Sequence, residues 1–295
     1  YYETVLPEAI YASTFARLAG LKAGRVAMVR HMHTTDHRFS PRNMRIEALL
    51  SLCTDQVICV SRAVRAFAVE TLGINAKRTC VIYNTAYAKR NGSQGASLES
   101  SRAELGIEAD DFVIVMIASL TRNKGHKVLL HAARQLRQQH PRIKFLVVGD
   151  GPLRGELNGE AKQFGLAGHV VFTGQQKDVS PYLEMAHTII LPTLFREGLS
   201  VALIEGASAG LPLVGSNLGG IPEVIEHQQN GFLVRPGDAA GLAAAIGRLI
   251  ENPDLRERMG RASREIYEKR FPPGMMLRKI EDLYDRLLKV KCHEE

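Results

Sequence analysis

The stretch Thr188–Glu223, TIILPTLFREGLSVALIEGASAGLPLVGSNLGGIPE, leaves this chain few ways to fold. Thr188 to Leu191 is an apolar run of strand length. A loop follows and ends in Glu197-Gly198-Leu199-Ser200. Val201 to Ala209 is then apolar and helical, with Gly210 placed as the residue after the cap and Pro212 unable to prolong the helix. The product is strand, loop and helix N-terminus, with one carboxylate on each side of that terminus. Glu197 precedes the helix, and Glu205 lies past Ser200 by about 7.5 Å of axial rise. The first N–H groups of a helix lack partners and carry partial positive charge, so they attract a phosphate. Gly198 permits close approach to the backbone, and a carboxylate accepts hydrogen bonds from sugar hydroxyls. The arrangement suits a nucleotide sugar, with hydroxyls at each end and the diphosphate between. An ordinary βα unit with surface glutamates remains the other reading. A glycosidase pair fits less well, because both carboxylates of such a pair address one bond.

A chain of 295 residues exceeds the usual size of one domain, so two are expected. The four cysteines, Cys53, Cys59, Cys80 and Cys292, show no CxxC pairing and read as reduced residues of a cytoplasmic protein. No apolar run reaches the length of a membrane span, and no signal peptide is visible. The chain starts with Tyr-Tyr, as a fragment or a processed chain would. Its net charge of +7 is unevenly placed, since residues 1–90 hold 13 Lys+Arg against 6 Asp+Glu. Arg38, Arg42 and Arg45 are the densest part, in DHRFSPRNMR, a segment without strong apolar period. This is either a solvated loop or a contact with anionic lipid or an acidic acceptor. No nucleic-acid partner is expected. His31, His33 and His37 cluster, but a metal site needs ligands held by a second layer of contacts, and none is expected here.

Along the chain, a helix is predicted over Glu8–Leu21 and a strand over Val26–Val29 that runs into His31. Strands follow at Gln56–Val60 and Thr79–Ile82, with a helix starting at Ser61. The polar run 88–101, AKRNGSQGASLESS, reads as an interdomain linker. The alternation then becomes clearer: strands at 112–118, 144–148, 170–172, 188–191, 213–215 and 232–234, with helices between them. Apolar, β-branched strands alternating with helices imply a parallel sheet covered on both faces. In such sheets ligands bind beyond the carboxyl ends of the strands. Those ends carry Ser119-Leu120-Thr121-Arg122-Asn123-Lys124-Gly125, Gly149-Asp150-Gly151-Pro152, Thr173-Gly174, the Glu197 loop and Asn217-Leu218-Gly219-Gly220. The Lys124 loop is suited to a diphosphate, whereas Gly149–Pro152 reads as turn chemistry only.

Taken in order, these residues resemble the retaining GT-B glycosyltransferases of family 4. The matches are Glu197-x7-Glu205, Lys124-Gly125, Val148-Gly149-Asp150-Gly151-Pro152, Gly210-x-Pro212, Gly219-Gly220-Ile221-Pro222-Glu223 and Asn230-Gly231-Phe232-Leu233-Val234. Upstream, Val60-Ser61, Asn84 and His31 match more weakly. The resemblance implies an α/β, GT-B fold of two Rossmann-like parallel-sheet domains facing a cleft. Residues 1–90 would be a partial acceptor-side domain, 91–107 the linker, 108–270 the donor domain, and 271–295 a helix crossing back. Family members have a longer N-terminal domain whose first strand and glycine-rich loop have no counterpart here, so that domain is expected to be incomplete.

The resemblance also implies roles. Glu197 would bind donor-sugar hydroxyls, and His31 would sit by the reacting centre. Gly198, Leu199 and Ser200 would offer backbone amides, Glu205 would hold the ribose, and Lys124 the diphosphate. Backbone near Gly174 and Gln175 would read the base. Most members carry Arg at the position of Ser119, so either Arg122 supplies a second cation or the diphosphate rests on one. No metal cofactor is implied. The implied activity is transfer of a sugar, of hexosyltransferase type, to a glycan or lipid-linked acceptor in surface polysaccharide or lipopolysaccharide assembly. The enzyme would be cytoplasmic or peripheral on the inner face of the membrane. A GT-B sugar-nucleotide epimerase or hydrolase, or a non-catalytic nucleotide-sugar-binding fragment, are the alternatives. Changing Glu197 to Gln is expected to cost little stability, as for an exposed loop carboxylate, and to leave nucleoside diphosphate affinity nearly unchanged.

Overall fold

The computed structural model describes residues 19, 26–35, 41–86, 95–195 and 197–292, with backbone only at 41–43, 95–98 and 290–292. Apart from Ala19, the expected helix Glu8–Leu21 lies outside the described residues, as do His37 and Arg38. The chain divides into two units, Tyr1–Asn84 with Pro273–Glu295, and Thr85–Pro272.

In the first unit three parallel strands, β1 (Val29–Met32), β2 (Gln56–Cys59) and β3 (Thr79–Val81), lie in that order. β1 starts later than its apolar residues suggest and contains His31, which pairs with Ile58. Asp55 sets this register. Its carboxylate accepts the Met28 N–H at 2.7 Å, and its own N–H donates to the Met28 carbonyl at 2.9 Å. Helix α1 (Pro41–Ser51) occupies part of the segment expected as a loop. Its stripe was hidden because a charged residue, Glu47, faces inward, fully buried and paired with Arg30. The next helix, α2 (Arg62–Ala66), is capped by Ser61, whose Oγ accepts the Val64 N–H at 3.0 Å, and it continues as a π-turn over Phe67–Thr71. The C-terminal helix Pro273–Cys292 packs on this sheet: Leu283 joins Ile58 and Ile82 in a core flanked by Val29, Cys80, Met276, Ile280 and Leu287. Tyr284, next to Leu283 on the same helix, is exposed.

The second unit opens with α3 (Gly95–Glu104), a helix where a linker was expected. Ser and Gly set the composition, yet the run Leu98–Leu105 also carries Glu, Arg and Ala, which favour helix. Arg102 then closes the helix end by accepting the Ile107 N–H on its carbonyl and donating its guanidinium to the Glu108 carbonyl. Six parallel strands follow: β4 (Phe112–Ile117), β5 (Ile143–Val148), β6 (Val170–Gly174), β7 (Thr188–Leu191), β8 (Leu213–Ser216) and β9 (Gly231–Val234). Between or after them run α4 (His126–Gln139), α5 (Arg154–Gln163), α6 (Ser180–Met185), α7 (Val201–Ser208), α8 (Ala239–Glu251) and α9 (Pro253–Arg270). The central strands are buried along their length, as continuous apolar runs require. The spatial order is β6-β5-β4-β7-β8-β9. The chain therefore builds outward from β4 to β6, then returns and builds the other way from β7. The topological switch point lies between β4 and β7, and there the strand ends open a crevice.

Candidate active site

The loops after β4 and β7 meet at that crevice. Leu194 N–H donates to the Asn123 carbonyl at 2.7 Å. Gly125 links the 3-10 turn Arg122–Lys124 to α4 at φ 78°, and a Cβ there would lie 1.9 Å from the Pro192 carbonyl oxygen. Only glycine fits both the left-handed backbone and the contact. From the other side, Gly219 (φ 55°) packs against Glu197, where an added Cβ would come within 1.9 Å of the Glu197 carbonyl oxygen, and Gly220 N–H donates to that oxygen at 3.1 Å. The Gly149–Pro152 turn does more than turn. Its Asp150 carbonyl accepts the Leu120 N–H at 2.9 Å, and Leu153 N–H donates to the Leu120 carbonyl at 3.1 Å.

These contacts fix Glu197. It is buried, 6% exposed, which corrects the expectation of an exposed loop carboxylate. Lys124 Nζ donates to Glu197 Oε2 at 2.8 Å, and Thr193 Oγ1 donates to the same oxygen at 3.2 Å. Both bonds fall on Oε2, so Oε1 has no hydrogen-bond partner among the described residues. Thr193 is fully buried and was not singled out in the sequence. Its only signal was a hydroxyl two residues past a buried strand and four residues before a glutamate. Gly198, Leu199 and Ser200 are buried beside Glu197. Ser200 caps α7, its Oγ accepting the Leu203 N–H at 3.2 Å, and the other first-turn amides remain available to a ligand.

Glu205, one turn into α7, is half-buried. Burial and then the neighbouring Asp178 charge push its carboxyl up to about 7. At the end of β6, Gly174 is buried and Gln175 exposed; Gly174 accepts the Gly149 N–H at 2.9 Å, joining the β5 and β6 ends. The Asp150–Arg154 ion pair lies beside this position. Ser119 and Arg122 are exposed. Arg122 does not join Lys124 at Glu197. It lines a cavity of about 280 Å³ with His126, Leu153, Glu156 and Leu194, and its charge acts on Glu156 after that of Lys127. His126 is buried there, and burial drops its imidazole to about 4, so it is neutral at physiological pH.

Lys124, Thr193, Glu197 and Glu205 thus surround the N-terminus of one helix at the switch point. Residues 98–266 match the family model of glycosyl transferases group 1, and residues 8–87 match that of glycosyltransferase family 4. This chain belongs to the glycosyl transferases of group 1. Over 290 residues it is 26% identical to N-acetyl-alpha-D-glucosaminyl L-malate synthase of Bacillus anthracis, a match spanning 96% of this chain and 73% of that protein. It is 33% identical to the lipopolysaccharide core biosynthesis glycosyltransferase LpsD of Rhizobium meliloti over 63% of this chain and 53% of LpsD. The chain therefore spans about half the length of some curated relatives it matches. Anabaena HepE, solved in complex with UDP, superposes with a TM-score of 0.85 at 25% identity, over 94% of this chain and 77% of HepE. The α/β fold with parallel sheets is that of GT-B glycosyltransferases such as HepE.

In this member of group 1, His31 lies in the first unit, half-exposed on β1, with burial and then His33 lowering its imidazole below the ordinary value. Its ring stacks on His33 at 6.0 Å, and Asn84 Nδ2 lies 3.5 Å from His33 Nδ1. Among the described residues, no group of three His, Cys, Asp or Glu side chains is placed to hold a metal.

Proposed function

We propose that this glycosyltransferase moves a sugar from a nucleotide-sugar donor to a glycan or lipid-linked acceptor with retention of anomeric configuration, in surface polysaccharide assembly at the cytoplasmic face of the membrane. The observation that carries the proposal is Glu197, buried at a helix N-terminus with one oxygen held by Lys124 and Thr193 and the other without a partner among the described residues. An acceptor-only oxygen in that position suits sugar hydroxyls. The diphosphate lies between Lys124 and the first amides of α7, and Glu205 accepts from the ribose hydroxyls. Backbone at Gly174 and Gln175 reads the base. As the bond from the anomeric carbon to the terminal phosphate breaks, negative charge grows on the leaving oxygen. Lys124 and the α7 dipole are aimed at that charge, and they do this work without a metal ion. Relatives named for lipopolysaccharide core and amylovoran biosynthesis support the polysaccharide role, and HepE complexes with UDP and UDP-glucose support the donor class.

The test is a panel of nucleotide sugars, with and without added lipid-linked glycan acceptors, followed by anomeric analysis of the product by NMR. Acceptor-dependent release of nucleoside diphosphate with retained configuration is expected, in EDTA as well as without it. Glu197→Gln is expected to lower turnover by at least about 100-fold, the scale of losing one transition-state contact of this kind. Donor consumption independent of acceptor would point instead to an epimerase or hydrolase, and binding without turnover to a non-catalytic module.

A further inference from the structure

We infer that Glu197 also determines specificity between the sugar-loaded donor and the spent nucleotide: it admits the nucleotide sugar and repels the bare nucleoside diphosphate. The inference rests on the donor site proposed above and replaces the expectation that Glu197 is neutral toward nucleoside diphosphates. Lys124, the cation that would receive the diphosphate, is already paired with Glu197 at 2.8 Å, with side-chain exposures of 23% and 8%. The carboxylate cannot easily swing aside. Thr193, with no exposed surface, holds the same oxygen, and Gly219 and Gly220 clamp the Glu197 backbone. Any phosphate reaching Lys124 therefore meets a fixed negative charge within a few ångströms, in a site where such interactions are weakly screened.

The two ligands answer that charge differently. In the nucleotide sugar the terminal phosphate is esterified and the adjoining sugar presents hydroxyl donors to Glu197 Oε1. Transfer breaks the bond between the anomeric carbon and the phosphate oxygen, whose electron pair stays with the phosphate. The acceptor oxygen bonds to the anomeric carbon, and its proton passes to the released phosphate or to water. The product has lost its hydroxyl donors, and its terminal phosphate has gained an ionisable oxygen facing Glu197. The same carboxylate thus turns from a ligand for the donor into a repellent for the product, and Lys124 is returned to its partner.

Titration calorimetry without acceptor tests this, on pairs such as UDP and UDP-glucose or GDP and GDP-mannose, whichever pair binds. Glu197→Gln is expected to bind the nucleoside diphosphate about 10-fold more tightly, a change of 1.4 kcal/mol by conversion, and the nucleotide sugar no more tightly than wild type. Thr193→Val keeps the charge but frees the carboxylate from one anchor, and is expected to raise diphosphate affinity by less than the neutral variants do, which separates charge from positioning. Unfolding midpoints without ligand confirm that the variants are folded, and Glu197→Ala is a second neutral variant if Gln is not tolerated. Unchanged or weaker diphosphate binding by folded neutral variants would overturn the discrimination alone. Failure of the wild type to bind any pair would overturn the donor site and the inference with it.

Discussion

Glu197 is a buried charge tolerated because an ammonium and a hydroxyl both meet it. Lys124 correspondingly serves two anions, the carboxylate and, on the proposal above, the diphosphate. Lys124→Ala is expected to weaken binding of nucleoside diphosphate more than of nucleoside, by about 1.5–3 kcal/mol plus the Glu197 repulsion it leaves uncompensated, as calorimetry on the two ligands will measure. Equal losses for both would show that Lys124 does not touch phosphate. Glu205 behaves differently, because burial and Asp178 favour its neutral form up to about pH 7. A carboxyl raised on folding stabilises the native state fully below its unfolded value, and that contribution is lost as pH rises through about 7. Wild-type stability should therefore fall relative to Glu205→Gln between about pH 4.5 and 7, as read by urea midpoints, and the difference should level off above that range. A pH-independent difference would mean that Glu205 is charged throughout.

At the scale of elements, two features organise the chain. The first is the reversal of strand order between β4 and β7, which brings together loops about 70 residues apart in sequence and makes the Lys124–Glu197 pair possible. The second is the C-terminal helix, which belongs to the first unit although the whole second unit intervenes. Leu283, Met276, Ile280 and Leu287 cover Ile58, Ile82 and Cys80, and a buried side chain of this size contributes about 1.5–3 kcal/mol. Removing residues 273–295 is expected to expose that sheet face and cause aggregation, seen by light scattering and size-exclusion chromatography. A soluble monomeric truncation with unchanged unfolding would count against this packing. The Cys59 thiol, pushed up to about 12 chiefly by burial, should then become reactive to alkylation, whereas in the whole chain it is protected.

For the whole molecule, the charge bias is the feature that speaks to location. Among the described residues no helix is long and apolar enough to cross a membrane. The excess of +7 falls within residues 1–90. Arg45 is exposed on α1, and Leu49 and Leu52, four and seven positions on, are 65% and 68% exposed. Basic and apolar groups on one helical side suit an anionic lipid surface, at about 1 kcal/mol per basic residue and screened within about 8–10 Å. We expect binding to anionic but not neutral liposomes in co-sedimentation, lost at high salt and weakened by changing Arg38, Arg42 and Arg45 to Ser. Leu49→Ser with Leu52→Ser should remove any salt-resistant remainder. Equal binding to both vesicle types, or none at low salt, would leave the bias as a solubility feature.

Local physics was legible in the linear chain wherever an element's own residues decide it. The strands of the second sheet, helix α4 from His126 to Gln139 and the Ser200-capped start of α7 follow from apolar period, glycine and cap chemistry. Residue types at the strand ends likewise marked Glu197, Lys124 and Glu205, because a helix terminus flanked by carboxylates has its own chemical meaning. What failed was local reading where a distant partner overrides composition. Glu47 faces inward on α1 where it pairs with Arg30, and Asp55 binds the Met28 backbone just before β1. Only the tertiary structure decided that Glu197 is buried, that Thr193 is its second anchor and that Arg122 turns to the Glu156 side of its loop. Each of these depends on which strands become neighbours. That is settled by long-range pairing in the sheet, and no window of sequence contains both partners.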